Sequence, residues 1–171
     1  MKTSSHKFQK ISPLDVERFQ EIVDATYIHQ NQEALEQHGK DQTEDISIPP
    51  EIVIEPKSTQ QISQIMQHCN QRHIPVTVRG AGTGLSGGAI PAFGGVVLSM
   101  KRMNEIISID ENNFMATVQP GVITQHLQET LQSKGLFYPP DPASKGSCFI
   151  GGNIAENSGG PKAVKYGVVK D

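Results

Sequence analysis

The chain has 171 residues, a formal net charge of −3, no tryptophan and two cysteines. The length allows one domain with a real core, and the charge, with no basic stripe, argues against a nucleic-acid partner. Cys69 and Cys148 have no metal or disulfide spacing and fit a reduced, cytoplasmic setting; the opening "MKTSSHKFQKISPL" has no apolar signal region, and no apolar run is long enough to span a membrane.

With 16 glycines and 11 prolines, the chain is expected to build its core from small aliphatic side chains and tight turns. Residues 12–24 predict a helix: Ser12 can cap it, Pro13 suits its first turn, and Val16, Phe19 and Val23 share a face. Residues 25–47 are polar and rich in Gln and Glu; they predict decoration of the fold, with a helix near residues 31–37. "IPPEIVIEP" (48–56) predicts a short strand between prolines. Residues 58–72 predict the clearest helix, with a Ser58…Gln61 capping box and Ile62, Ile65, Met66 and Cys69 at helical spacing. A strand over 75–79 then runs into "RGAGTGLSGGA" (79–89), with five glycines in eleven residues.

Within that loop Gly82-Thr-Gly84-Leu-Ser-Gly87 fits the G-x-G-x-x-G dinucleotide fingerprint. The fingerprint needs a helix opening at the loop, with its N-terminus facing the pyrophosphate. Here "AIPAFGGVV" follows, and Pro91, Gly94 and Gly95 forbid such a helix. A P-loop fails too, because no Lys-Ser or Lys-Thr pair follows at the required spacing. A glycine-rich loop can still cradle an anion with consecutive backbone N–H groups. Thr83 and Ser86 would add hydroxyl donors, and Arg79 could orient the loop or screen charge.

Further along, strands are predicted over 94–100, 106–110 and 114–121, the last two forming a hairpin through "ENN", and a helix over 122–134 with Leu127 and Leu131 inward and Gly135 as its stop. The remainder, from residue 137, is dense in Gly, Pro, Asn and Ser and predicts a long irregular, functional stretch. In it Gly151-Gly152 and Gly159-Gly160 permit close backbone approach, and Asn153, Asn157 and Ser158 offer neutral groups suited to a heteroaromatic ring edge. Asp141 stands between prolines in a stiff "YPPDPAS". One wall suited to phosphate and one suited to a ring imply a long dinucleotide between them.

"PVTVRGAGTGLSGGA", "VQPGV", "YPPDPAS" and "CFIGGNIAENSGGPKAVKYG" resemble the FAD-linked oxidases grouped with the glycolate oxidase FAD subunit, D-lactate dehydrogenase and D-2-hydroxyglutarate dehydrogenase. These belong to the vanillyl-alcohol-oxidase superfamily with its PCMH-type FAD-binding domain. The resemblance covers about residues 48–171, and residues 1–47 are expected to form an N-terminal helical extension. It implies an α+β fold: a subdomain of parallel strands with helices, then a mainly antiparallel one, truncated here, with FAD between them. It implies that Arg79, Gly80, Ala81, Gly82, Thr83, Gly84, Ser86, Gly87 and Gly88 wrap the FAD pyrophosphate. Pro120 and Gly121 would approach the cofactor after the hairpin. Pro140, Asp141 and Ser144 would lie beside the flavin and its ribityl chain. Gly151, Gly152, Asn153, Ala155, Asn157 and Gly160 would form a loop cupping the ring and phosphates, and Gly167 marks the family's "YG" step. Some superfamily members attach flavin covalently to a His in the first loop; Thr83 stands near that place, so noncovalent FAD is expected, with Cys148 a buried thiol.

The activity implied is oxidation of a D-2-hydroxy acid, such as lactate, glycolate or 2-hydroxyglutarate, by hydride transfer to FAD. Alternatives are an FAD-dependent reductase of the enolpyruvyl sugar-nucleotide type, or a non-catalytic fragment that binds nucleotide or a partner half. The sequence ends at "KYGVVKD", inside the expected domain, before the substrate-binding cap and its His-rich metal motif. This chain alone is therefore expected to be inactive, as the N-terminal fragment of such an enzyme or as one piece of a split one whose missing half a partner chain supplies. His6, His29, His38, His68, His73 and His126 form no ligand-like cluster, so no metal and no catalytic base are assigned.

Overall fold

The structure is a computed structural model that describes residues 8–170, so His6, the rest of the first seven residues and Asp171 lie outside the described residues. Helix α1 (Pro13–Ile22) starts at a full capping box: Ser12 Oγ accepts from the Asp15 N–H, and the Asp15 carboxylate accepts from the Ser12 N–H at 2.9 Å. Its inward face buries Phe19, with Val23 just beyond its end. After a short 3₁₀ turn come strand β1 (Ile28–His29) and helix α2 (Gln32–His38), which Asn31 caps. Strand β2 (Ile52–Ile54) and helix α3 (Thr59–Arg72) follow. Ser58 accepts from the Gln61 N–H at 3.2 Å, but the Gln61 side chain takes the Lys57 N–H instead of that of Ser58. The capping box expected there is thus only half formed, because the Gln61 amide also donates 2.8 Å to the Ile22 carbonyl and ties α3 to the end of α1.

Strands β3 (Val76–Arg79) and β4 (Val96–Ser99) complete a four-stranded sheet of order β1-β2-β4-β3. β4 runs parallel to both neighbours, and β1 is antiparallel on the far edge. Ile52, Val53, Ile54, Val96, Val97 and Leu98 are fully buried. Covered on both faces, central parallel strands read as unbroken apolar runs. Phe19, Val23, Ile65, Cys69 and Ile74 pack on this sheet as one core. Burial pushes the Cys69 thiol up to about 12, so it stays protonated. Both cysteines are free. Within residues 25–47, Tyr27 and Ile28 reach only the margin of this core, yet β1 supplies an edge strand.

Strands β5 (Ile106–Asp110) and β6 (Met115–Val118) form the antiparallel hairpin. Helix α4 (Thr124–Gln132) packs Leu127 and Leu131 with Val122 and Ile150 as a second core. The stretch from residue 137, read as irregular, holds two short helices, α5 (Ile150–Ala155) and α6 (Ala163–Tyr166). The glycines do not break α5, because its start is fixed from outside. Ile150 N–H donates to the Val122 carbonyl at 2.9 Å and Gly151 N–H to the Pro120 carbonyl at 2.8 Å, so orphan amides of its first turn are paired. Gly151 lies so near Pro120 that a Cβ would sit 2.7 Å from the proline Cβ.

Candidate functional site

A cavity of about 600 Å³ lies beyond the carboxyl end of β3, the usual place for a ligand on an open α/β sheet. One wall is the first glycine loop, which joins β3 to β4 with no helix between them. The opposite wall is α5 and the residues after it, with Pro142, Ala143, Ser144, Cys148 and Phe149 beside it. Asp41 and Gln42 form a further wall, and the Gln42 N–H donates to the Gly84 carbonyl at 3.0 Å.

The first loop is open where a ligand needs room. The backbone N–H groups of residues 81–89 make no hydrogen bond within the described residues and are available to an acceptor. A Cβ on Gly84 or Gly152 would meet nothing within 4 Å. Gly82 has φ +71°, and its missing side chain leaves space for the Arg79 guanidinium packed beneath it. Arg79 is 8% exposed and lies against a second hollow behind the loop, about 410 Å³, lined also by His29, His38, Glu55 and Lys101. Burial presses its ionisation down from the ordinary value, and the Asp41 charge opposes that. Across the cavity mouth Ser86 Oγ donates to the Glu156 carboxylate at 2.5 Å, linking the two walls.

Of the residues expected at the cofactor, Gly80, Ala81, Gly82, Thr83, Gly84, Ser86 and Gly88 line the cavity on one side, and Ser144, Gly152, Asn153, Ala155 and Gly160 on the other. The rest stand behind the walls. Pro120 and Gly121 carry α5: the Gly121 N–H bonds the Met103 carbonyl at 2.7 Å, while Pro120 meets Gly151. Gly87 bends the loop at φ +76°, and Gly167 caps the end of α6 at φ +78°. The Asp141 carboxylate is taken by Lys145 at 2.7 Å and Lys162 at 3.4 Å, which hold it below its usual value. Its N–H donates to the Gly159 carbonyl at 3.2 Å, which pins Pro140 and Asp141 to the glycine pair. Asn157, at φ +51°, accepts from the Lys170 N–H at 3.1 Å.

Asn153 is buried, and its amide donates inward to Thr124 Oγ1 at the start of α4. The same hydroxyl lies 3.2 Å from Cys148 Sγ. Thr124, Asp41, Gln42, Phe149 and Glu156 escape a reading of glycine motifs. Only "KDQT" carries a local signal: Asp41 accepts from the Thr43 N–H at 2.7 Å, an Asx turn.

The family described as FAD binding domain matches residues 50–171. The glycolate oxidase subunit GlcD of Bacillus subtilis is 51% identical, over 78% of this chain and 28% of that protein. The D-lactate dehydrogenase of Anaerostipes hadrus is 38% identical, over 98% of this chain and 35% of that protein. The chain thus spans about a third of the length of these relatives. Among solved structures, an alkyldihydroxyacetonephosphate synthase superposes with a TM-score of 0.85 at 21% identity, over 96% of this chain and 35% of that one. That likeness is one of fold.

Proposed function

We propose a function from one premise: the chain belongs to the FAD-binding domain family. It is the cofactor-binding part of an FAD-dependent oxidoreductase that oxidises a D-2-hydroxy acid. The observation that carries this reading is the run of available backbone N–H groups on residues 81–89, set across a 600 Å³ cavity from α5. The residues fit the cofactor. The amides of residues 81–89 with the Thr83 hydroxyl suit a diphosphate, and the bare Gly152 leaves a flat approach for a ring. When bound, FAD supplies the acceptor for the substrate hydride.

The chain's own residues bind and orient. Residues 80–88 hold the diphosphate; α5, held by Thr124 and Pro120, offers its glycine face to the flavin; Pro142 to Ser144 limit the ribityl side. FAD is held noncovalently, since the first loop carries no His, Thr83 falls near the attachment place that the resemblance implies, and Cys148 is buried against Thr124. The substrate side lies on a further stretch of polypeptide or a partner chain. Two buried free thiols suit the cytoplasm.

The test is a visible spectrum of the purified chain after incubation with FAD and desalting. Flavin bands should remain with the chain and pass to the supernatant on acid precipitation. D-Lactate, glycolate or D-2-hydroxyglutarate should bleach the flavin anaerobically in a polypeptide of the relatives' full length that carries this chain. Bleaching by NADPH alone would replace the dehydrogenase reading with a reductase, and no retained flavin in either polypeptide would end it.

A further inference from the structure

Three buried side-chain atoms among the described residues have no hydrogen-bond partner: Asp41 Oδ2, Thr43 Oγ1 and Arg79 Nη1. Buried polar atoms are nearly always paired, so these orphans call for a reason. Asp41 and Thr43 belong to one Asx turn, and the Asp41 charge bears on Arg79. The Arg79 guanidinium fills the space under Gly82, and its other arm reaches only a long 3.5 Å contact with the Gln37 carbonyl. A buried guanidinium is costly without a counter-charge. Among the described residues Arg79 forms no ion pair, and Asp41 is the carboxylate whose charge favours its ionised form.

The segment carrying Asp41 is itself fixed to the loop. Ile48 N–H donates to the Gly39 carbonyl at 2.8 Å and closes the segment on itself, while Gln42 grips Gly84. All of these groups except Arg79, Gly82 and Gly84 lie upstream of the matched domain, which begins at residue 50.

We propose that Asp41 and Arg79 are positioning residues that hold the first glycine loop in its phosphate-receiving shape, which makes residues 37–43 part of the cofactor site. This rests on the FAD-binding reading above. Asp41 sets its charge beside Gln42, which grips Gly84, and Arg79 props Gly82. Neither needs to touch the diphosphate.

Asp41→Asn tests this cleanly, because it keeps an acceptor for the Thr43 N–H and removes only the charge. Amide hydrogen exchange is read on the full chain without ligand, and FAD affinity by titration. Protection of the Gln42 and Ile90 amides, which donate to the loop carbonyls of Gly84 and Gly87, should fall about tenfold in Asp41→Asn while α3 and β4 keep theirs. FAD affinity should fall about tenfold as well, and in an Arg79→Gln background Asp41→Asn should add little more. Unchanged protection of the Gln42 and Ile90 amides, or quickening spread equally over α3 and β4, would overturn the proposal. Should the wild-type chain take up no FAD, the functional reading fails alone, and the exchange pattern still decides this one.

Discussion

Thr124 lies one layer behind the cavity, yet its hydroxyl joins two elements that shape it. It accepts the Asn153 amide from α5 and lies against Cys148, and all three residues are buried. Thr124→Val keeps the shape and removes the hydroxyl. The Asn153 amide then stays buried without an acceptor, which costs about 1–3 kcal/mol. Urea unfolding should show a lower midpoint with an unchanged slope; an unchanged midpoint would mean that the hydroxyl carries nothing. Little in the sequence marks this residue. A threonine at the start of a helix reads as a cap, but here the cap position is Ile123 and Thr124 points into the core. The glycines of the first loop are legible because their reason is local, whereas the role of Thr124 depends on a helix 26 residues later that the sequence hides.

That helix, α5, shows why some elements can be read and others cannot. α1 and α3 announce themselves by Ser caps and apolar spacing, and β4 by its unbroken apolar run. α5 is "IGGNIA", a poor helix former by composition. It exists because the Val122 and Pro120 carbonyls receive its first amides and because Ile150 is drawn into the second core. The wall at Asp41 and Gln42 is hidden for a similar reason, since it depends on a contact with Gly84 far along the chain. The two neighbouring glycines of α5 should therefore respond in opposite ways to alanine. Gly151→Ala drives a methyl into Pro120 and should destabilise the chain by about 1–3 kcal/mol. Gly152→Ala meets open space, so it should stabilise the FAD-free chain by up to about 1 kcal/mol while weakening FAD binding, because the methyl enters the cavity. Thermal unfolding without FAD and a FAD titration separate the two effects. Equal melting temperatures for both variants would contradict this account of α5.

On the scale of the whole molecule, the sheet core carries the cavity's first wall and the second core carries α5, so a loss of either loosens the site. The sheet core is closed at one end by an ion cluster between α1 and α3. Asp15 is 1% exposed and takes His68 Nε2 at 2.8 Å and Arg72 Nε at 3.0 Å. Burial pushes its carboxyl up, but the hydrogen bonds from Ser12, Arg72 and His68 outweigh that and hold it well below the usual range. An unfolded aspartate titrates at about 3.9. A carboxyl depressed in the native state contributes stability that is complete above the unfolded value and is lost as pH falls from there toward the native one. Asp15→Asn, which has no charge to lose, should cost about 2 kcal/mol at neutral pH. The gap between wild type and variant should stay level down to about pH 5 and narrow below about pH 4. Urea midpoints measured from pH 7 to pH 3 test this, and a gap that does not narrow in acid would mean that Asp15 supports the α1–α3 junction by shape and not by charge.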